Sequence, residues 1–284
     1  MLIASVSAGA SHPGLPGAYC DHVGTVLGSL LQVSSADINI RYFVDYVTRR
    51  VGPRSRVLDY GCGRADLVRA LRSVGVEAYG ADVFFEGMDF TKMRVDPLIE
   101  SGVVRLIPPS GDVPFPDGWF DLIVSDQVLE HVDDLGKVAN ELQRLLCPGG
   151  VMLHHFPTIE VWREPHFNVW FSHRLPSPIR RPYLRWSHSL GLGKAETAFP
   201  DAKSWAMHVD AWLSRFCRFR RERDVLAAFR GPARRADTEY CVFRAAATNH
   251  PVVRRIMQTR LGAQAGAWLF RRLAFSAVEI CARD

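Results

Sequence analysis

The chain has 284 residues, 48% of them hydrophobic and 23% charged, with a formal net charge of +5. That length can bury a sizeable core, and the balance is ordinary for a soluble globular protein. Six cysteines (Cys20, Cys62, Cys147, Cys217, Cys241, Cys281) are scattered without a CxxC pair, which argues against a zinc site or a disulfide scaffold and predicts a reducing cytoplasm.

Charge is unevenly placed. Residues 1–150 hold 13 Lys+Arg against 19 Asp+Glu, and residues 151–284 hold 22 against 11. Such asymmetry points to two regions with different partners. Residues 1–36 are rich in Gly, Ser, Ala and Pro and read as a loose leader. The Ala8-Gly9-Ala10 element lacks the basic and apolar regions of a signal peptide. No apolar run reaches membrane-spanning length, since Arg271 and Arg272 interrupt the best one.

Apolar spacing predicts a helix over residues 37–51, stopped by Gly52-Pro53. Residues 56–60 then read as a buried strand that enters the turn Gly61-Cys62-Gly63. Without Cβ atoms on the glycines, a ligand can approach this backbone closely. Helical spacing follows over residues 66–75, then a second strand over 76–83. Asp82 stands 21 positions beyond Gly61, where nucleotide folds place an acid for ribose hydroxyls. Asp66 occupies the position at which a dinucleotide fingerprint has Gly or Ala, so the turn suits a nucleoside ligand without phosphates. Further strands are expected at 103–107, 120–125 and 151–155, with a helix at 135–146. Alternating strands and helices predict an α/β, doubly wound, mostly parallel sheet. Asp59, Gly61, Asp82, Asp112, Asp126 and His155 all fall at or beyond the carboxyl ends of its strands, where such sheets bind ligands.

The run Asp59-x-Gly61-x-Gly63 resembles the first motif of the class I S-adenosylmethionine-dependent methyltransferases. FPDGWFDLIVSDQVLEHV and LLCPGGVML resemble their fourth- and fifth-strand motifs, as found in the ubiquinone-pathway members. The resemblance covers residues 40–157 and implies a seven-stranded Rossmann-like sheet with S-adenosyl-L-methionine as cofactor. It implies that Asp59, Gly61, Cys62 and Gly63 contact the methionine part and that Asp82 takes the ribose hydroxyls. Val83, with Phe84 and Phe85, sits against adenine. Asp112 and Val113 border the adenine and its amine, and Asp126 and Gln127 line the cofactor.

Residues 158–238 are too long for a simple connection and read as a helical substrate cap after the fifth strand. WREPHF and WLSRFCRFRRERDVLAAF resemble segments of methyltransferases from bacterial surface-polysaccharide loci. Residues 239–246 and 274–282 are expected to be the last two strands, with a helical region between them. A hydroxyl acceptor needs a general base, and His suits that role near neutral pH. His131, His154, His155 and His166 are candidates. His155 and His131 are favoured, with Glu164 as the alternative, and no metal is expected.

Arginines interleaved with Trp170, Trp186 and Trp212 point to an anionic small-molecule or saccharide acceptor, lipid- or nucleotide-linked. The 252–275 region has the composition of a helix on an anionic membrane surface. Basic charge with aromatics also permits a nucleic-acid methyltransferase. No Asn-Pro-Pro-Tyr-type or paired-cysteine motif supports one, because Asp126-Gln127-Val128-Leu129 follows the fourth strand. A non-enzymatic protein with a vestigial pocket is the remaining alternative, against which the intact Asp59/Gly61/Gly63/Asp82 set speaks.

Overall fold

The structure is a computed structural model. It describes residues 38–84, 97–193, 199, 201–229, 231–247 and 250–282. The predicted leader, Cys20 and Phe85 lie outside the described residues.

Helix α1 (Ile38–Thr48) precedes β1 (Arg56–Tyr60), α2 (Asp66–Ser73) and β2 (Glu77–Asp82). A single turn, α3 (Pro97–Glu100), leads to β3 (Val104–Leu106), and β4 (Phe120–Asp126) runs into a 3-10 turn at Leu129–His131. Helix α4 (Leu135–Leu145) and β5 (Leu146–Phe156) complete the expected alternation. The sheet has seven strands in the order β3-β2-β1-β4-β5-β7-β6, with β6 (Ala233–Arg235) and β7 (Ser276–Cys281). β7 pairs antiparallel with both neighbours, and the other pairs are parallel. Strand order reverses between β1 and β4, which opens a crevice at their carboxyl ends.

Side-chain alternation splits the core across the sheet. Val57, Leu122, Val124 and Leu153 join Tyr42, Phe43 and Leu71 on one face. Leu58, Ile123 and Met152 join Leu142, Val225 and Phe229 on the other. His154 and His155 therefore point to opposite faces, as predicted: His154 packs on Phe229 and His155 on Tyr42 and Phe43.

The second half departs from the sequence reading. Residues 239–246 are not a strand but part of helix α8 (Asp237–Ala247). The continuous apolar run Cys241-Val242-Phe243 fits a buried strand and a buried helix equally well. It forms a helix because Tyr240, Phe243 and Ala245 join the core beside α1. The true β6 lies just before it, with all three residues exposed.

Helices α5 (Ser177–Ser189) and α6 (Ala202–Phe216) form the cap, around Phe167, Val169, Leu184, Trp205 and Leu213. Helix α7 (Glu222–Phe229) packs into the sheet's core through Val225 and Phe229. Helices α9 (Pro251–Met257) and α10 (Arg260–Leu273) precede β7. Among the described residues, no helix is long and apolar enough to cross a membrane.

Arg174, Arg180, Arg181 and Arg220 engage the protein itself. Arg180 is buried, and both Arg180 and Arg181 meet Asp210 through Nε at 2.5 Å. Arg174 donates to the carbonyls of Ile159 and Val161. Arg220 donates to those of Leu129, Val132 and Asp133. Through Asp210, Arg180 and Arg181 hold α5 on α6.

Candidate active site

A cavity of about 880 Å³ opens at the carboxyl ends of β1, β2 and β4. Its floor is the glycine turn. The Gly61 N–H donates to Ala81 O at 2.7 Å, and the Cys62 N–H to the same oxygen at 3.2 Å, so the turn is strapped to β2. Gly61 has φ +76°, and a Cβ there would collide with Val128, which packs over the turn. Gly63 (φ +50°) faces open space and lines the cavity.

Asp82 ends β2. Its Oδ2 accepts the Gly63 N–H at 2.8 Å and its Oδ1 accepts the Phe84 N–H at 2.7 Å. Burial raises its pKa, opposed by these backbone donors. Each carboxylate oxygen keeps acceptor capacity for a ligand hydroxyl. Val83 and Leu106, both more than half exposed, give this end of the cavity an apolar edge suited to an aromatic base.

Acidic groups cluster at the crevice. Burial, then the charges of Asp126, Asp82 and Asp66, push the buried Asp59 carboxyl well above the usual range. Asp126 Oδ2 accepts from Asn39 Nδ2 at 2.9 Å, and Tyr240 donates to Asn39 Oδ1, so α1 and α8 both brace it. Asp126 Oδ1 and Gln127 Nε2 are buried without a hydrogen-bond partner. Buried polar atoms are nearly always satisfied, so this orphaned acceptor and donor at the cavity fit a polar, cationic ligand. Gln127 holds a left-handed backbone (φ +56°), with its N–H on His155 O at 2.9 Å.

At the far end stand His131, Lys137, Pro165 and His166. His131 Nδ1 lies 2.8 Å from Phe216 O, and burial lowers its pKa. His166 Nδ1 lies 2.5 Å from Glu164 Oε1. His166, among the four candidate histidines, is brought to the cavity by the cap. Leu106, Val128 and Lys137 were missed, since nothing in their local spacing marks them.

Six predicted residues sit elsewhere, among them Asp59, which is buried beside the turn and does not line the cavity. His155 is wholly buried between Phe43 and Phe275 and does not line the cavity, so it cannot meet an acceptor as a base. Its Nδ1 lies 3.7 Å behind Asp126 Oδ1. Glu164 is also wholly buried, and its oxygens accept the N–H groups of His166 and Phe167; it positions His166. The Val113 side chain is in the core and its N–H is taken by Glu141, while Gly111 rather than Asp112 lines the cavity. The Cys62 side chain packs on Gly80 beneath the turn, so Cys62 contributes backbone only.

The chain matches the model of the methyltransferase domain family over residues 37–230. An uncharacterized methyltransferase of Mycobacterium sp. (strain JLS) is 27% identical over 172 residues, covering 57% of this chain and 65% of that protein. The demethylmenaquinone methyltransferase of Bacillus cereus (strain ATCC 10987 / NRS 248) is 33% identical over 179 residues, covering 58% of this chain and 72% of that protein. The crystal structure of an S-adenosylmethionine-dependent methyltransferase from Mesorhizobium loti superposes with a TM-score of 0.46 at 16% identity, covering 83% of this chain and 95% of that one. The first two curated relatives are spanned over 65% and 64% of their length, a little under two thirds.

Proposed function

We propose that this chain, which belongs to the class I S-adenosylmethionine-dependent methyltransferases, transfers a methyl group to a hydroxyl or similar nucleophile of a small-molecule or saccharide acceptor. One observation carries the reading: a single cavity of about 880 Å³ joins Gly63 and Asp82 at one end to His131 and His166 at the other. That volume lies in the upper range of small-molecule sites and suits a cofactor with an acceptor beside it.

When bound, S-adenosylmethionine supplies a methyl group already activated on a sulfonium. The protein's work is then to align two molecules and keep water out. Asp82 accepts the ribose hydroxyls, and Val83 and Leu106 flank the base. Asp126, whose Oδ1 has no hydrogen-bond partner, favours the cationic methionine end. Gln127 Nε2 donates to an acceptor oxygen on that same end. His131 and His166, the latter held by Glu164, line the end of the cavity where the acceptor's nucleophile would stand. Arg174, Arg180, Arg181 and Arg220 are engaged internally, so the reading rests no acceptor charge on them. Val252, Val253, Ile256, Leu261, Trp268 and Leu269 are exposed on α9 and α10 among Arg254, Arg255 and Arg260, which supports contact with an anionic membrane surface. Co-sedimentation with anionic but not neutral vesicles checks that contact.

The test is incubation with methyl-labelled cofactor and a fractionated small-molecule and glycan extract. Label in a small molecule or glycan is expected. Label confined to nucleic acid, or transferred nowhere, contradicts the reading.

A further inference from the structure

We propose that His131, His166 and Cys217 form a binding site for a zinc-type divalent cation at the acceptor end of the cavity. The three residues come from separate segments: the 3-10 turn after β4, the loop after β5, and the C-terminal end of α6. Each offers one ligand atom, and these atoms lie within 4.8 Å of one another. Tetrahedral zinc sets such pairs about 3.3–3.6 Å apart, so closure needs movement of roughly an ångström.

The surroundings are those of a metal centre rather than a chance cluster. Metal-binding histidines give their second nitrogen to a carboxylate or a carbonyl. Both rings do so here. His166 Nδ1 donates to Glu164 Oε1 at 2.5 Å, and His131 Nδ1 to Phe216 O at 2.8 Å. Their acceptors fix both tautomers, which makes Nε2 the ligating nitrogen on each ring. Glu164 is itself fixed by two backbone N–H groups. Trp212 packs on both imidazoles and shields them on one side.

Glu130 is the independent observation. Its side chain is wholly buried, neither carboxylate oxygen meets a donor from another residue, and Oε1 lies 4.0 Å from His131 Nε2. A buried carboxylate is costly without countercharge, and a cation on His131 supplies it. On binding, the Cys217 S–H bond breaks, a sulfur–metal bond forms, and the proton leaves to solvent. One thiolate with two imidazoles suits zinc.

His131 and His166 line the cavity whereas Cys217 is buried, so the fourth position faces the acceptor. On the methyl-transfer reading, from which this role follows, an acceptor hydroxyl or thiol bound there is deprotonated more readily. The site itself stands on geometry alone. Spacing conceals it because the two histidines stand 35 positions apart and Cys217 stands 51 positions beyond His166.

Full-length protein stripped with a chelator is titrated with zinc and, separately, with cobalt(II). One equivalent is expected to bind, with cobalt showing tetrahedral d–d bands and a thiolate charge-transfer band. Cys217→Ser abolishes that band, and His166→Ala, at the cavity wall, weakens affinity at least about tenfold. Glu164→Gln weakens it about 10–100-fold. Circular dichroism of each variant establishes folding; where Cys217→Ser fails to fold, the other two variants decide. No stoichiometric uptake, a charge-transfer band that survives Cys217→Ser, or unchanged affinity in His166→Ala overturns the site. Calorimetry of the stripped protein with S-adenosylhomocysteine separates the two readings. Cofactor heat without metal uptake overturns the metal site alone, whereas metal uptake without cofactor heat overturns the cofactor reading alone.

Discussion

The Gly63 N–H donates to Asp82 Oδ2 at 2.8 Å, joining the glycine turn after β1 to the acid that ends β2. Two motif ends 19 residues apart thus form one rigid floor. The same carboxylate that orders the turn also lines the cavity.

Asp82→Ala removes that carboxylate. Cofactor affinity is expected to fall by about 1.5–3 kcal/mol, since charge-assisted hydrogen bonds are lost. The Gly63 and Phe84 amides lose their acceptor too, so the thermal midpoint drops. Calorimetry on folded variant checks the first effect and a melting curve the second. Unchanged affinity removes Asp82 from the site.

Gly61→Ala places a Cβ against Val128 at a left-handed backbone position. Backbone strain and overpacking together are expected to cost roughly 2–4 kcal/mol in denaturant unfolding. Adding Val128→Ala should recover the packing part of that loss and leave the strain. A double variant no more stable than Gly61→Ala alone contradicts this account of the turn.

Arg180 holds Asp210, which is buried on α6. Burial alone would raise the Asp210 pKa, but hydrogen bonds from Arg181 and Arg180 prevail and lower it. Arg180→Ala is expected to cost at least about 2 kcal/mol of stability. The full ~3–5 kcal/mol of a broken buried pair is not reached, because Arg181 still meets the carboxylate. Cofactor affinity should be unchanged. A variant of native stability whose acceptor KM rises instead would contradict this and make Arg180 an acceptor ligand.

His154 is wholly buried, with Nδ1 2.7 Å from Ser125 Oγ. Burial, with the neighbouring His155, pushes its pKa down to about 3 from an ordinary 6.5. Below pH 6.5 the unfolded chain takes up a proton that the folded chain refuses. Stability is therefore lost as pH falls from 6.5 toward 3, by about 1.4 kcal/mol per pH unit. Urea midpoints at pH 6.5 and 5.5 should show a shallower fall in His154→Asn than in the parent. Equal slopes would contradict the assignment.

Much of the fold was legible because β1 to β5 carry strong local signals. The glycine turn, the acid at Asp82 and the alternation in β5 are read residue by residue. The edge strand β6 was not, since three exposed residues have no inward face to betray them. Alternation correctly set His154 and His155 on opposite faces. It could not show that both faces of β5 are covered, by Tyr42 and Phe43 on one side and Phe229 on the other. Arginine composition likewise hides its partners: Arg174 and Arg220 point to carbonyls on neighbouring segments, which no spacing reveals. The His131–His166–Cys217 cluster exists only once the cap folds over the sheet.

The central claim is that the floor built by Gly61, Gly63 and Asp82 binds S-adenosylmethionine. Titration calorimetry of the folded, full-length chain with S-adenosylmethionine and S-adenosylhomocysteine tests it most directly. The account predicts one site per chain, with Kd in the low-micromolar range or tighter for both ligands and much weaker binding in Asp82→Ala. No heat from either ligand on folded protein, or equal binding by parent and Asp82→Ala, would contradict it.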